Sequence, residues 1–178
     1  MIKSIKDMTM PELASFVCSK LEDKNIEVVL SGGSCVEIYS RGDYTSYDID
    51  LINRYNDTFF KIKSVMQSLG FTEEGKYFVY EGTQFYIEFP SGPLGLGDAP
   101  VEKITELPTK YGTLKLLTPT DCVKDRLAAY YHWDDQQSLT QAIWVAQKND
   151  IDFNELKKWS KKESCLDKYN NFINRLSI

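Results

Sequence analysis

The segment Asp48-Ile49-Asp50-Leu51-Ile52 constrains this chain more than any other. Its apolar, partly β-branched residues favour a strand, predicted over Tyr47 to Asn53. Side chains alternate along a strand, so Asp48 and Asp50 share one face while Ile49 and Leu51 share the other. Two carboxylates on one face repel each other unless a cation lies between them. A divalent metal with oxygen ligands resolves that repulsion, and magnesium suits a site whose shell is completed by phosphate oxygens.

The sequence upstream supplies a complementary feature. Glu27-Val28-Val29-Leu30 reads as a short strand that runs directly into Ser31-Gly32-Gly33-Ser34, and Cys35 to Tyr39 reads as a helix ending near Gly42. A glycine pair between strand and helix lets the backbone turn sharply and approach a ligand closely. The unpaired N–H groups of the following helix favour a phosphate, and the Ser34 hydroxyl adds a donor. A third acid stands downstream in Phe85-Tyr86-Ile87-Glu88-Phe89, where the apolar residues point one way and Glu88 the other.

The remaining elements frame these segments. Thr9-Met10-Pro11-Glu12 opens a helix, and Asp57 is expected to cap another whose stripe is Phe60, Val65, Met66 and Leu69, stopped by Gly70. Tyr77 to Tyr80 and Phe85 to Phe89 read as a hairpin around Glu81-Gly82-Thr83. The Pro/Gly-rich residues 90–97 break all periodicity, the next segment carries no clear pattern, and Thr113 to Leu117 reads as a strand. Four helices follow over Pro119–Trp133, Leu139–Lys148, Phe153–Lys161 and Leu166–Leu176. The expected architecture is therefore α/β (α+β), a mixed sheet with flanking helices over residues 1–117 and a helical part over 118–178.

Charge and cysteine usage narrow the function classes. A net charge of -5 argues against a general nucleic-acid coat protein. The balance is uneven, because residues 150–178 carry six Lys/Arg against five Asp/Glu and the rest carries fifteen against twenty-one. The four cysteines form no C-x-x-C pair, which leaves zinc and redox motifs unsupported. The N-terminus lacks a secretory pattern and no apolar run is long enough to span a bilayer, so a cytoplasmic protein with no membrane partner is expected. His132, the only histidine, is expected to pack at a helix end, and Trp133, Trp144 and Trp159 are expected in the core.

Taken together, the G-G-S turn after a strand, D-x-D on the next strand and a lone acid on a later one resemble the nucleotidyltransferase superfamily that includes DNA polymerase beta. Leu30 precedes the turn, and thirteen residues separate Ser34 from Asp48. The chain looks most like the minimal bacterial nucleotidyltransferases of the abortive-infection and toxin–antitoxin type. The resemblance covers roughly residues 27–90.

It implies that Asp48, Asp50 and Glu88 are catalytic and hold magnesium, two ions being usual, with Glu88 positioning or deprotonating the attacking hydroxyl. It also implies that Gly32, Gly33 and Ser34 form the phosphate-binding turn. Ser46 stands in for a threonine of the family's Arg-x-Thr-x segment, whose arginine is missing from Tyr44-Thr45-Ser46-Tyr47. Similar helices of the abortive-infection relatives carry a Lys or an Asp-Arg pair that faces the nucleotide. In the helix that begins at Pro119, Lys124 and Arg126 lie about 200° apart, and Lys124 is the residue expected to face the nucleotide, with Arg126 or Asp125 expected as an exposed or ion-paired neighbour.

The implied activity is magnesium-dependent transfer of a nucleoside monophosphate from ATP or another NTP to a hydroxyl of a macromolecular acceptor, an RNA end or a protein. The alternative is a catalytically weak or inactive nucleotide-binding member of a toxin–antitoxin pair, with an antitoxin partner. The tail lysines Lys157, Lys158, Lys161, Lys162 and Lys168, with Arg175, are the expected docking surface for an acceptor.

Overall fold

The computed structural model describes residues 4–55, 59–92, 94–97 and 99–176. The expected cap Asp57 lies outside the described residues, as does Pro93 of the Pro/Gly-rich stretch.

Thr9 and Glu12 close a reciprocal capping box, the Thr9 N–H donating to Glu12 Oε2 at 2.9 Å, and start helix α1 (Met10–Glu22). Strand β1 (Val28–Ser31) follows and is buried along its whole length, which on an alternating strand requires cover on both faces. Helix α2 (Gly32–Ser40) begins at the glycine pair itself, three residues earlier than expected, and ends with Arg41 in the left-handed conformation. Strand β2 (Asp48–Asn53) places Ile49 and Leu51 in the core and leaves Asp48 exposed and Asp50 half-buried, the alternation expected of D-x-D-x-x.

Helix α3 (Phe59–Ser68) buries Ile62, Val65 and Met66. Three short strands follow, β3 (Thr72–Glu74), β4 (Tyr77–Val79) and β5 (Tyr86–Glu88). Residues 95–96 and 99–100 form a separate two-stranded ladder, β6 and β7. The hairpin β8 (Ile104–Thr109) and β9 (Gly112–Leu117) precedes helices α4 (Pro119–Trp133), α5 (Gln136–Lys148), α6 (Phe153–Lys162) and α7 (Leu166–Leu176).

Among the described residues, seven strands make one mixed sheet in the order β3-β4-β5-β2-β1-β9-β8. The two central pairings fix its logic. β1 runs antiparallel to β2 and parallel to β9, and β2 runs parallel to β5. Helix α1 packs on β1 and β9, whereas α2 packs on β1 and β2 and is backed by α4 and α5. The Tyr39 hydroxyl donates to the Leu117 carbonyl at 2.7 Å, tying α2 to the end of β9. A buried apolar cluster runs from Met10 through the sheet to Phe172.

Strands β3 and β8 are not legible in the sequence. All three residues of β3 are exposed and β8 buries none fully, so neither carries an apolar alternation. Trp159 is buried as expected, but Trp133 is 77% exposed, because Asp134 turns left-handed and ends α4 beside it. His132 sits near that end, its Nε2 3.0 Å from Glu163 Oε2. All four cysteines are free. Among the described residues no helix is long and apolar enough to cross a membrane.

Candidate active site

The turn between β1 and α2 is built around the absence of two Cβ atoms. Gly32 has φ +62°, a left-handed backbone that side chains rarely tolerate, and a Cβ there would lie 2.1 Å from Asp50 Oδ2. A Cβ on Gly33 would lie 3.0 Å from Ser46 Oγ. The glycine pair therefore lets α2 start directly against the carboxylate strand, with Ser31 and Asp50 opposite each other in the β1–β2 ladder.

Strand register then assembles the acids. In the parallel β2–β5 ladder Asp50 is opposite Glu88 and Asp48 is opposite Tyr86, so all three carboxylates share one face of the sheet. Burial pushes the Asp50 carboxyl up to about 6, reinforced by the charges of Glu88, Asp125 and Asp48 and opposed by Arg126. Glu88 is paired with Lys76, Nζ to Oε2 2.7 Å.

Helix α4 brings a fourth carboxylate to this face, one that the sequence does not assign to the site. Asp125 Oδ2 accepts from the Gly32 N–H at 3.3 Å, at the positive end of α2. The same oxygen accepts from Arg126 Nε at 3.0 Å and Nη2 at 2.5 Å. Burial opposes the Arg126 charge, but Asp125 and Asp50 outweigh it and hold the guanidinium above its usual range. The signal for this pair is Asp-Arg on a helix beginning at a well-marked cap, without a means of telling which face meets the carboxylates.

Lys124 is placed elsewhere. Its Nζ donates to Asp121 Oδ1 at 2.8 Å and to Glu155 Oε1, on the wall of a cleft of about 570 Å³ that also includes Thr118, Trp159 and Lys162. Burial works against this ammonium, and the two carboxylates more than offset it, raising it above its ordinary range. The 200° between Lys124 and Arg126 does separate them, with Arg126 on the carboxylate side.

Ser34 and Ser46 also turn inward. Both hydroxyls donate to the Asp48 carbonyl, Ser46 at 2.9 Å, and the Ser46 N–H donates to Glu37 Oε2 at 2.6 Å. In this arrangement they pin the start of β2 to α2 instead of presenting free donors.

The donor set is all oxygen and the carboxylates outnumber the cations, which suits a hard divalent ion such as magnesium. Burial and the neighbouring carboxylates disfavour the Asp50 anion, a penalty that a bound cation would offset. Among the described residues no three acidic, histidine or cysteine groups already stand together as a finished metal cage. Asp48 is exposed, and Glu88 is paired with Lys76.

No protein family and no curated protein matches the chain in sequence. Among solved structures it is similar to an antigenic nucleotidyltransferase-like protein from Paracoccidioides brasiliensis, with TM-score 0.55 and 17% identity over 78% of this chain and 75% of that one. The antibiotic-resistance factor ANT(2'')-Ia aligns with TM-score 0.48 and 12% identity over 91% of both chains. Its complex with adenylyl-2''-tobramycin aligns with TM-score 0.48 and 11% identity over 89% of this chain and 94% of that one. The likeness to the first of these structures shows that the chain, with its mixed sheet and the glycine turn ahead of α2, shares the fold of that nucleotidyltransferase-like protein.

Proposed function

We propose that the protein transfers a nucleoside monophosphate from an NTP to a hydroxyl of a macromolecular acceptor. The observation that carries this reading is the convergence of Asp50 and Glu88 on adjacent strands, one face, beside the N-terminus of α2. Asp48, Asp50 and Glu88 would hold magnesium, which supplies charge neutralisation on the transferring phosphoryl group and on pyrophosphate. The acceptor oxygen bonds to the α-phosphorus, pyrophosphate leaves with the broken P–O bond, and Glu88 takes the hydroxyl proton. The N–H groups of Gly33 and Ser34 at the start of α2 favour the phosphates. Arg126 contributes fixed positive charge on the same side.

In this reading residues 1–117 supply the three carboxylates that would hold magnesium, and residues 118–178 supply Asp125, Arg126 and the docking surface. Lys157, Lys158, Lys161 and Lys162 are exposed and suit phosphate contacts. Lys168 is less suited, since its Nζ is held by the Tyr130 and Tyr131 carbonyls, both at 2.9 Å.

A second reading has its own support: a catalytically weak nucleotide binder, for instance one half of a toxin–antitoxin pair. The hydroxyls of Ser34 and Ser46 are committed to the Asp48 carbonyl and Glu88 to Lys76, which leaves fewer groups free for substrate. Two experiments in sequence separate them. Thermal shift with each of four NTPs, with and without magnesium, tests binding; at about a hundredfold excess over Kd the stabilisation is roughly 2.7 kcal/mol. Labelled NTP with magnesium and cell lysate then tests turnover. A magnesium-dependent shift with label on RNA or protein supports transfer, a shift without label supports the weak binder, and no shift defeats both.

A further inference from the structure

The carboxylate face of the sheet does not stop at Glu88. In the antiparallel β4–β5 ladder Tyr77 lies opposite Glu88 and Val79 opposite Tyr86, and directly opposed residues share a face. Two parallel rows result. One runs Asp50, Glu88, Tyr77 across β2, β5 and β4, and the other runs Asp48, Tyr86, Val79, about 6.6 Å further along the strands. The opposite face of the same strands is closed by the buried Phe78 and Ile87, with Phe59 of α3 6.0 Å from the Phe78 ring.

On the carboxylate face, by contrast, Tyr86 is 45% exposed. The Tyr77 and Tyr86 rings stand 5.8 Å apart and tilted by 54°, with Tyr77 half-buried, so the Tyr86 ring offers the open aromatic surface at the edge of the acidic site. Lys76 Nζ lies 4.8 Å over the Tyr77 ring while pairing with Glu88. An exposed tyrosine beside a half-buried one on a sheet, a lysine above the half-buried ring and a carboxylate directly opposite that ring make a combined surface for a planar ring, a phosphate and a hydroxyl. Aromatic side chains on an open sheet stack unpaired bases, and a cation beside them takes the backbone phosphate.

Building on the nucleotidyl-transfer reading, we propose that Tyr77, Tyr86 and Lys76 form the acceptor platform, on which the terminal base of an RNA 3' end stacks and from which its ribose hydroxyl reaches Glu88. A protein acceptor would bring neither the base nor the phosphate that these residues match. The phosphate also has a consequence for the site, because an RNA phosphate drawn to Lys76 competes with Glu88 for it. Acceptor arrival then releases the carboxylate that receives the hydroxyl proton, so the Lys76–Glu88 pair holds the site in check until RNA is seated.

The test uses the whole chain and a short single-stranded RNA carrying 2-aminopurine as its 3'-terminal base. Stacking quenches the probe, and Tyr77→Ala and Tyr86→Ala should each weaken RNA binding roughly 5- to 150-fold with loss of quenching. Tyr77→Phe and Tyr86→Phe should restore both, since they keep the ring. Lys76→Gln should weaken binding and lower the slope of its salt dependence by about 0.7. Alanine variants that bind and quench like the wild type overturn the platform, as does label from NTP that accumulates on protein and not on RNA. Magnesium-dependent NTP binding by the wild type is the separate control. If it is present without quenching, the platform falls and transfer stands; quenching without it leaves the platform standing and removes the transfer reading.

Discussion

Replacing Asp50 by asparagine should stabilise the metal-free protein at neutral pH. The folded-state carboxyl is raised from 3.8 to about 6, first by burial and then by Glu88. A group whose folded pKa is raised favours folding fully below its unfolded value, and that contribution is lost as pH rises through the folded value. Below about pH 4 Asp50 is therefore neutral in both states and costs nothing. Above about pH 6 the folded protein must hold a disfavoured anion.

Moving the carboxyl from 3.8 to about 6, at roughly 1.4 kcal/mol for each tenfold change in proton affinity, gives a cost of about 3 kcal/mol at pH 7.5. The amide in place of the carboxylate removes that charge with little change of volume. In a chain of this size about 3 kcal/mol corresponds to a Tm rise of roughly 6–12 °C. Urea unfolding in EDTA, followed by far-UV circular dichroism at pH 4.5, 6.0 and 7.5, measures it. The Asp50→Asn advantage should grow with pH across that range and shrink toward zero at the acid end. A variant no more stable than wild type at pH 7.5, or an advantage that does not change with pH, would refute the reasoning.

Further outcomes follow from the same geometry. Gly32→Ala forces a side chain into a left-handed backbone and against Asp50, and should cost roughly 1–3 kcal/mol in urea unfolding. Lys124→Ala should destabilise the fold by about 2 kcal/mol, because Asp121 and Glu155 lose a charged donor, while leaving NTP affinity close to wild type. Arg126→Ala should instead weaken magnesium–NTP binding in calorimetric titration, since it strips the cation from beside Asp125 and Asp50; the reverse ranking would return the nucleotide to the Lys124 side. Changing Lys157, Lys158, Lys161 and Lys162 together to glutamine should abolish salt-sensitive RNA labelling without altering Tm by more than about 2 °C, as all four are exposed.

Much of the candidate site's geometry was legible because it rests on short-range rules. Alternation along β2 put Asp48 and Asp50 on one face, and the same rule put Glu88 opposite Ile87 and the buried Phe85. Glycine was needed between β1 and α2 for a reason visible locally, a sharp turn, although its second reason, the Asp50 carboxylate within 2.1 Å of the missing Cβ, is a contact across eighteen positions of chain. Long helices with caps, such as the Thr118–Asp121 start of α4, announce themselves by spacing alone.

What spacing cannot carry is the choice among faces and partners. That α4 turns Arg126 and not Lys124 toward the carboxylates depends on how the helix rotates against α2, which the Gly32–Asp125 bond and the packing of α4 on α2 and α5 decide together. Ser34 and Ser46 read as ligand donors in one dimension, yet the Asp48 carbonyl claims both hydroxyls in three. The tyrosine face likewise exists only because β3, β4 and β5 are added beyond β2 in register, which places Tyr77 beside Glu88 from eleven residues away. Local sequence determined which residues alternate, turn and cap, because those depend on a few bonds; register and helix rotation determined which of them meet, because those are settled by packing across the whole core.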